Sequence, residues 1–248
     1  MRAWVAGLAL LAAGVGGGAA TLGVGSSAQW VLFGMPAVNA FVRLTNQALA
    51  FVNERVESEP VPPLAEIGSG VGFQLSETMG GTWRLGLQVA VTGASTRTQG
   101  SWEIEGGTSQ PLDVSLDVGL ATLGAEFSLV LIPDLLTVTI SAGWGASRIA
   151  YRCVFPSPLP TDWTLPFLPR VGDKTYTGGG PMGTVAVQLA LPVGRGTSAG
   201  LEFGFRLAPW GVPRAGTEVL DLNVDGTGDA VGLTSIWLGL TVRMEFNL

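Results

Sequence analysis

The sequence predicts an all-β fold, an up-and-down antiparallel transmembrane β-barrel of about eight strands with a short helix in the first external loop. Three observations carry that expectation. Of the 248 residues, 47% are hydrophobic and 13% charged, and the charged share is about half that of a typical soluble domain. Mean hydropathy is +0.41, yet no apolar run beyond the N-terminus reaches the roughly 18 residues a membrane helix needs. Apolar residues instead alternate with small or polar ones through most of the chain, as in a wall with one face toward lipid and the other toward a polar lumen.

The elements follow in order. Arg2, the apolar stretch Trp4 to Val15 and the small residues Gly18-Ala19-Ala20 have the layout of an export signal. Residues 1–20 are therefore expected to be a signal peptide and 21–248 the barrel. Cleavage after Ala20 keeps the first strand whole, whereas cleavage after Ala28 removes most of it. Leu22, Val24, Ala28, Trp30 and Leu32 form one face of strand one; Ile67, Val71, Phe73 and Leu75 form one face of strand two; Trp83 through Val91 gives strand three. In strand four, Val114, Leu116, Val118 and Leu120 are out of phase with Leu123, Ala125, Phe127, Leu129 and Leu131, which predicts a bulge near Thr122. Leu136 to Trp144, Val185 to Leu191 and Ala199 to Leu207 supply strands five to seven. The last strand, Ile236 to Leu248, alternates without a break. Short turns near Thr78 to Gly81, Pro133-Asp134 and Pro192 to Gly196 take turns with long connections at 34–66, 97–111, 152–178 and 209–229. That rhythm, with an even strand number, brings both termini to one side.

Charge placement gives an internal test, because a charge on the lipid face costs about 2–4 kcal/mol at mid-membrane. Arg84, Asp113, Asp117, Glu126, Glu202, Arg206, Arg243 and Glu245 all fall opposite the apolar face of their strands, and Arg148 sits near a strand end. A lumen network of Arg84, Glu126, Glu202, Arg206, Arg243 and Glu245 is expected, serving either as a selectivity element or as the paired filling of a barrel too narrow for water.

Several chemistries lack their residues. The chain has no histidine, which removes Ser-His nucleophile activation and histidine metal ligands. Lys174 is the sole lysine and falls in an external loop, so no enzyme is expected. The net charge of −6 and pI near 4.6 argue against a nucleic-acid partner. Asp221, Asn223, Asp225 and Asp229 match the opening of a calcium loop, but the position of its bidentate Glu is Gly232. The competing expectation is a hairpin turning at Asp225-Gly226.

Residues 36–57 abandon alternation. Val38, Phe41, Val42, Thr45, Ala48, Leu49 and Val52 recur at helical spacing, and their stripe is expected to pack on the barrel rim, bind a partner or lie on the membrane. The third external connection, with Phe155, Leu159, Trp163, Leu165, Phe167 and Leu168, is apolar enough to cap the barrel or to contact another copy or protein. Cys153 at its base is either a crosslinking thiol or a buried one. Trp30, Phe33, Trp144 and Trp210 near one set of strand ends, with Trp83 and Phe246 near the other, fit two aromatic girdles.

Through this architecture and its closing Val242-Arg243-Met244-Glu245-Phe246-Asn247-Leu248, the chain resembles the small bacterial outer-membrane barrels of the OmpA, OmpX and OmpW type. It departs from them by ending in Leu248, with Phe246 two places earlier, where that superfamily usually ends in an aromatic residue. The resemblance implies residence in a bacterial outer membrane and recognition of Phe246 and Leu248 by the barrel-assembly machinery. Three roles are expected from the whole reading: an envelope or loop-mediated interaction protein, a narrow conduit for small solutes or hydrophobic compounds, and a self-assembling surface array.

Overall fold

The structure, a computed structural model, describes residues 21–56, 58–104, 108–155, 172–208, 211–222 and 227–247. The expected signal peptide lies outside them. Among the described residues, eight long strands form the wall: β1 (Thr21–Gly34), β2 (Ser69–Gly80), β3 (Trp83–Ile104), β4 (Thr108–Ile132), β5 (Leu136–Val154), β6 (Gly172–Gly194), β7 (Thr197–Leu207) and β10 (Thr234–Asn247), with one helix, α1 (Pro36–Asn53), between β1 and β2. The order β5-β4-β3-β2-β1-β10-β7-β6 closes on itself because β5 also pairs with β6. All neighbours are antiparallel. Tracing paired residues once around the ring, from Phe33 through Ser235, Arg206, Thr184, Ser141, Glu126, Gly86 and Thr78, returns to β1 at Gly23, ten residues from the start. With ordinary strand rise and spacing, that stagger tilts the strands by about 40°.

The wall carries an apolar belt. Val24, Trp30, Val71, Phe73, Trp83, Leu87, Leu123, Ile140, Trp144, Val187, Phe203 and Leu240 are among the large apolar side chains left exposed on its outer face. Nine residues of β3, Trp83 to Val91, and eleven of β10, Ile236 to Phe246, span the belt, the length a tilted strand needs to cross hydrocarbon. Exposed greasy side chains in a closed ring have one compatible solvent, so the fold is a transmembrane barrel.

β3 to β6 continue well past the belt, and there the two faces exchange character. Inside, Leu112, Val114, Leu116, Val118, Leu120, Ile149, Tyr151 and Cys153 are buried; outside stand Ser95, Arg97, Asp113, Asp117, Arg148 and Arg152. The predicted bulge near Thr122 is absent. Residues Leu112 to Ser128 alternate in one unbroken phase and pair with β3 and β5 without a register shift. The chemistry changes phase while the backbone does not, because the surroundings change from lipid to water. Asp113 and Asp117 consequently lie outside the barrel, contrary to the lumen placement expected for them.

Other expectations are also corrected. The second long connection is largely strand, since β3 reaches Ile104 and β4 starts at Thr108. The third shrinks to 155–171, of which only Phe155 is described. Ile67 precedes β2 and is buried, and Phe33 faces inward. Near residue 216 a small hairpin of β8 (Arg214–Ala215) and β9 (Glu218–Val219) turns at Gly216, φ +64°, and attaches to β6 through Thr177. Trp210 and the Asp225-Gly226 turn lie outside the described residues.

Helix α1 begins with Pro36 at its first position, where a missing N–H is harmless. All seven residues of its predicted stripe are buried. They face the inner wall of the extension, with Phe41 edge-on to Tyr151 at 5.2 Å between ring centroids, so the helix fills the barrel mouth. An extended strap, residues 59–68, returns along it. Its Val61, Leu64 and Ile67 are buried at the three-residue period of a polyproline II helix.

Candidate functional site

The inner faces of the belt strands assemble a polar lumen, and the expected network of six charges divides there into three groups. Nearest the short turns, Arg84 Nη1 and Arg243 Nε both reach Glu245 Oε1, at 2.8 and 3.0 Å, and Arg243 also donates to Thr78 Oγ1. Gly23 makes room for that guanidinium, since a Cβ there would overlap it. Further in, Glu126 Oε1 accepts from Ser128 Oγ at 2.8 Å, and Gln88 bonds the Ser141 and Thr184 hydroxyls. At mid-barrel, Glu202 Oε1 accepts from Trp237 Nε1 at 2.6 Å and from Gln29 Nε2 at 3.2 Å. Gln29 in turn donates to Gln74.

Arg206 completes the mid-barrel group with Glu202. It is 1% exposed, lies over the Trp237 ring at 5.2 Å, and its Nε and Nη1 have no hydrogen-bond partner. Its compensating interactions are the cation–π contact and the field of nearby Glu202. Gly204 admits the Trp237 ring at this level, where any Cβ would overlap it. Trp237 and Gly204 were not expected as functional residues. The usable signal was an inward glycine on β7 in register with an inward tryptophan on β10.

Two cavities open among the described lumen residues. A vestibule of about 160 Å³ opens at the short-turn end, lined by Arg84, Asp134, Gln188, Arg243 and Glu245. Beyond it, a cavity of about 20 Å³ among Gln74, Gln188, Glu202 and Thr241 holds about one water. Above Trp237 the lumen passes into the apolar core formed with Val31, Met182, Leu233 and the buried face of α1.

Three asparagines at seven-residue spacing fasten the plug. Asn39, Asn46 and Asn53 each use both ends of the side-chain amide on one strap residue. Nδ2 donates to the carbonyl oxygens of Ile67, Leu64 and Val61 at 3.1, 2.9 and 2.9 Å. Oδ1 accepts from the same residues' N–H groups at 2.8, 2.8 and 3.0 Å. Thr98 Oγ1 holds Pro62 O at 2.6 Å, and Trp102 Nε1 holds Asn53 Oδ1 at 3.0 Å. Strap and helix are thereby tied to the inner face of β3.

On the outside of the extension, charges alternate across four strands. Arg97 donates to both oxygens of Asp113 at 2.9 Å, Arg152 approaches Asp113 at 3.5 Å, and Asp173 lies 3.7 Å from Arg152. The Arg97 hydrogen bond holds the Asp113 carboxyl below its ordinary range. Arg148 faces outward above the belt. Cys153 is 1% exposed and burial pushes its thiol up, which disfavours the crosslinking thiolate.

Lys174 and Tyr176 both bond Glu218, the latter at 2.9 Å. At the predicted calcium loop, Asp221 is buried and Asp229 Oδ2 accepts from Leu222 N at 2.6 Å; Asn223 and Asp225 lie outside the described residues. Phe246 is exposed on the belt, and Leu248 lies outside the described residues.

No family model matches the chain, and no curated protein matches it. Among solved structures, Neisserial surface protein A matches at 12% identity and a TM-score of 0.41, covering 91% of this chain and 97% of that one. Ail, the attachment invasion locus protein of Yersinia pestis, matches at 10% identity and a TM-score of 0.36, covering 92% and 99%. The outer membrane protein OprG from Pseudomonas aeruginosa matches at 8% identity and a TM-score of 0.36, covering 93% and 97%. At TM-scores below 0.5 these likenesses carry no weight, and the barrel assignment rests on its own ring of strands and apolar belt.

Proposed function

We propose that this chain is a non-enzymatic integral protein of a bacterial outer membrane, with a closed lumen, that presents its water-exposed extension to other molecules at the cell surface. The observation that carries the reading is the filling of the barrel: hydrogen-bonded side chains leave about 20 Å³ at mid-lumen, and a strapped helix occupies the mouth above. A protein selected for conduction gains nothing from an apolar core across its path. An extension with its own core and a ladder of surface charges suits a rigid platform for contact. Barrel-assembly machinery acting on Phe246 and Leu248 belongs to the same reading. Single-channel recording in planar bilayers tests it. The expected record is silent, and steady ion-selective steps from the intact chain would replace this function with the conduit.

A further inference from the structure

On the extension and its plug, the described cations are answered by carboxylates with two exceptions. Arg43 meets Glu66, Arg55 meets Glu54, Arg97 meets Asp113, Arg152 meets Asp113 and Asp173, and Lys174 meets Glu218. Arg148 and Arg214 have no ion pair with any described residue, and both are exposed. The register puts them in one row: Gly119 of β4 pairs with Arg148 of β5, Arg148 with Thr177 of β6, and Thr177 with Arg214 of β8. Residues paired across a sheet share a face. Both guanidinium groups therefore stand on the outer wall at one height, with the Thr177 hydroxyl between them, 3.5 Å from the Arg214 carbonyl oxygen. Glu218 of the same hairpin is turned to the other face, where it bonds Lys174 and the buried Tyr176.

Beneath this row lie Ala121, Ala146 and Gly179, and beneath those Leu123, Trp144 and Pro181, where the apolar belt begins. With ordinary strand rise and the tilt of the wall, Arg148 stands about 10 Å above Trp144. An interfacial tryptophan sits at headgroup level, and long cationic side chains bend toward a membrane interface. The small residues leave a shallow recess between the last apolar row and the two cations. Asp117, in register with Ala150, is diagonal to Arg148 on the side away from the membrane.

We propose that the Arg148–Thr177–Arg214 row binds the phosphate of an anionic lipid in the surrounding leaflet. Higher on the wall, where water is outside, outward arginines are satisfied by the chain's own carboxylates; the row beside the membrane leaves its two cations to a partner of opposite charge. Guanidinium forks match phosphate oxygens in charge and geometry, and the recess seats a headgroup whose acyl chains run down over Leu123 and Trp144. The protein as a whole offers no general attraction, because its net charge of −6 repels an anionic surface. A preference for such a lipid therefore belongs to the row itself.

Native mass spectrometry of the intact protein, released from mixed micelles of phosphatidylcholine and phosphatidic acid, tests the proposal. Phosphatidic acid, whose phosphate is unshielded, is expected to stay bound in preference to phosphatidylcholine. Arg148→Gln and Arg214→Gln are each expected to weaken that preference roughly tenfold, with circular dichroism confirming that these exposed sites leave the barrel folded. Arg43→Gln, the same charge change on the plug, should leave it intact. Equal retention of the two lipids, or a preference that survives the double variant Arg148→Gln, Arg214→Gln, would overturn the lipid site. Displacement of phosphatidic acid by millimolar inorganic phosphate would overturn it as well, since the row would then receive a soluble anion.

Discussion

The belt and the extension are built from the same strands yet are stabilised in opposite ways. In the belt, Leu238 and Leu240 of β10 look outward while Arg243 and Glu202 look inward. In the extension, Leu116 and Ile149 look inward while Arg97 and Arg152 look outward. One continuous wall therefore works as a membrane protein for half its height and as a water-soluble domain for the rest. Which side chains belong on which face is decided by the solvent outside and not by the strand.

The largest effect that would break this contrast is a charge placed in the upper core. Leu49→Asp, at a site 1% exposed, is expected to cost more than about 4 kcal/mol. Protease should then cut within residues 35–68 while the belt keeps its resistance to unfolding in detergent; loss of both together would mean that the halves are one cooperative unit. Next in size is a matched pair on the outer face. Leu240→Arg in the belt should cost about 2–4 kcal/mol, and Ser95→Arg in the extension, exposed and in register with Asp117, about 0.5 kcal/mol or less, both measured by urea titration in vesicles. Equal costs would erase the distinction between the two faces.

Asn46→Ala is a smaller test. It leaves the buried Leu64 amide and carbonyl without their partner, an expected loss of about 2 kcal/mol, read as raised hydrogen exchange in the strap with the belt unchanged. The smallest effect is acid-dependent. Because Arg97 depresses the Asp113 carboxyl, the pair contributes stability at neutral pH that disappears as pH falls through the lowered value. Asp113→Asn should reduce the difference in extension stability between pH 7 and strongly acid solution, most visibly at low salt.

Most of the fold was legible because period two and period 3.6 are properties of the chain itself. All seven stripe positions of α1 were readable, and so were the closing strand and six inward charges. The face assignment of Asp113 and Asp117 was not. Alternation reveals that two faces differ, but a shift of apolar residues from odd to even positions looks the same whether the backbone bulges or the solvent changes. Phe33 was misplaced for the same reason, since an aromatic near a strand end suits a girdle and a core alike. The division of the lumen charges into three groups was equally hidden, because pairing depends on the ten-residue stagger around the ring. Asn39, Asn46 and Asn53 were visible as a heptad, but their partners belong to a segment with no regular secondary structure.

That segment contains its own safeguard against misalignment. The asparagines need an N–H at residues 61, 64 and 67, and Val61, Leu64 and Ile67 supply it. Displacing the strap by one residue in one direction would offer Pro60 and Pro63; displacing it the other way would offer Pro62, and none of these has a proton to donate. The prolines thus block a slip of one or two residues in either direction. Substituting them with alanine would leave every native contact available while making the wrong alignments accessible.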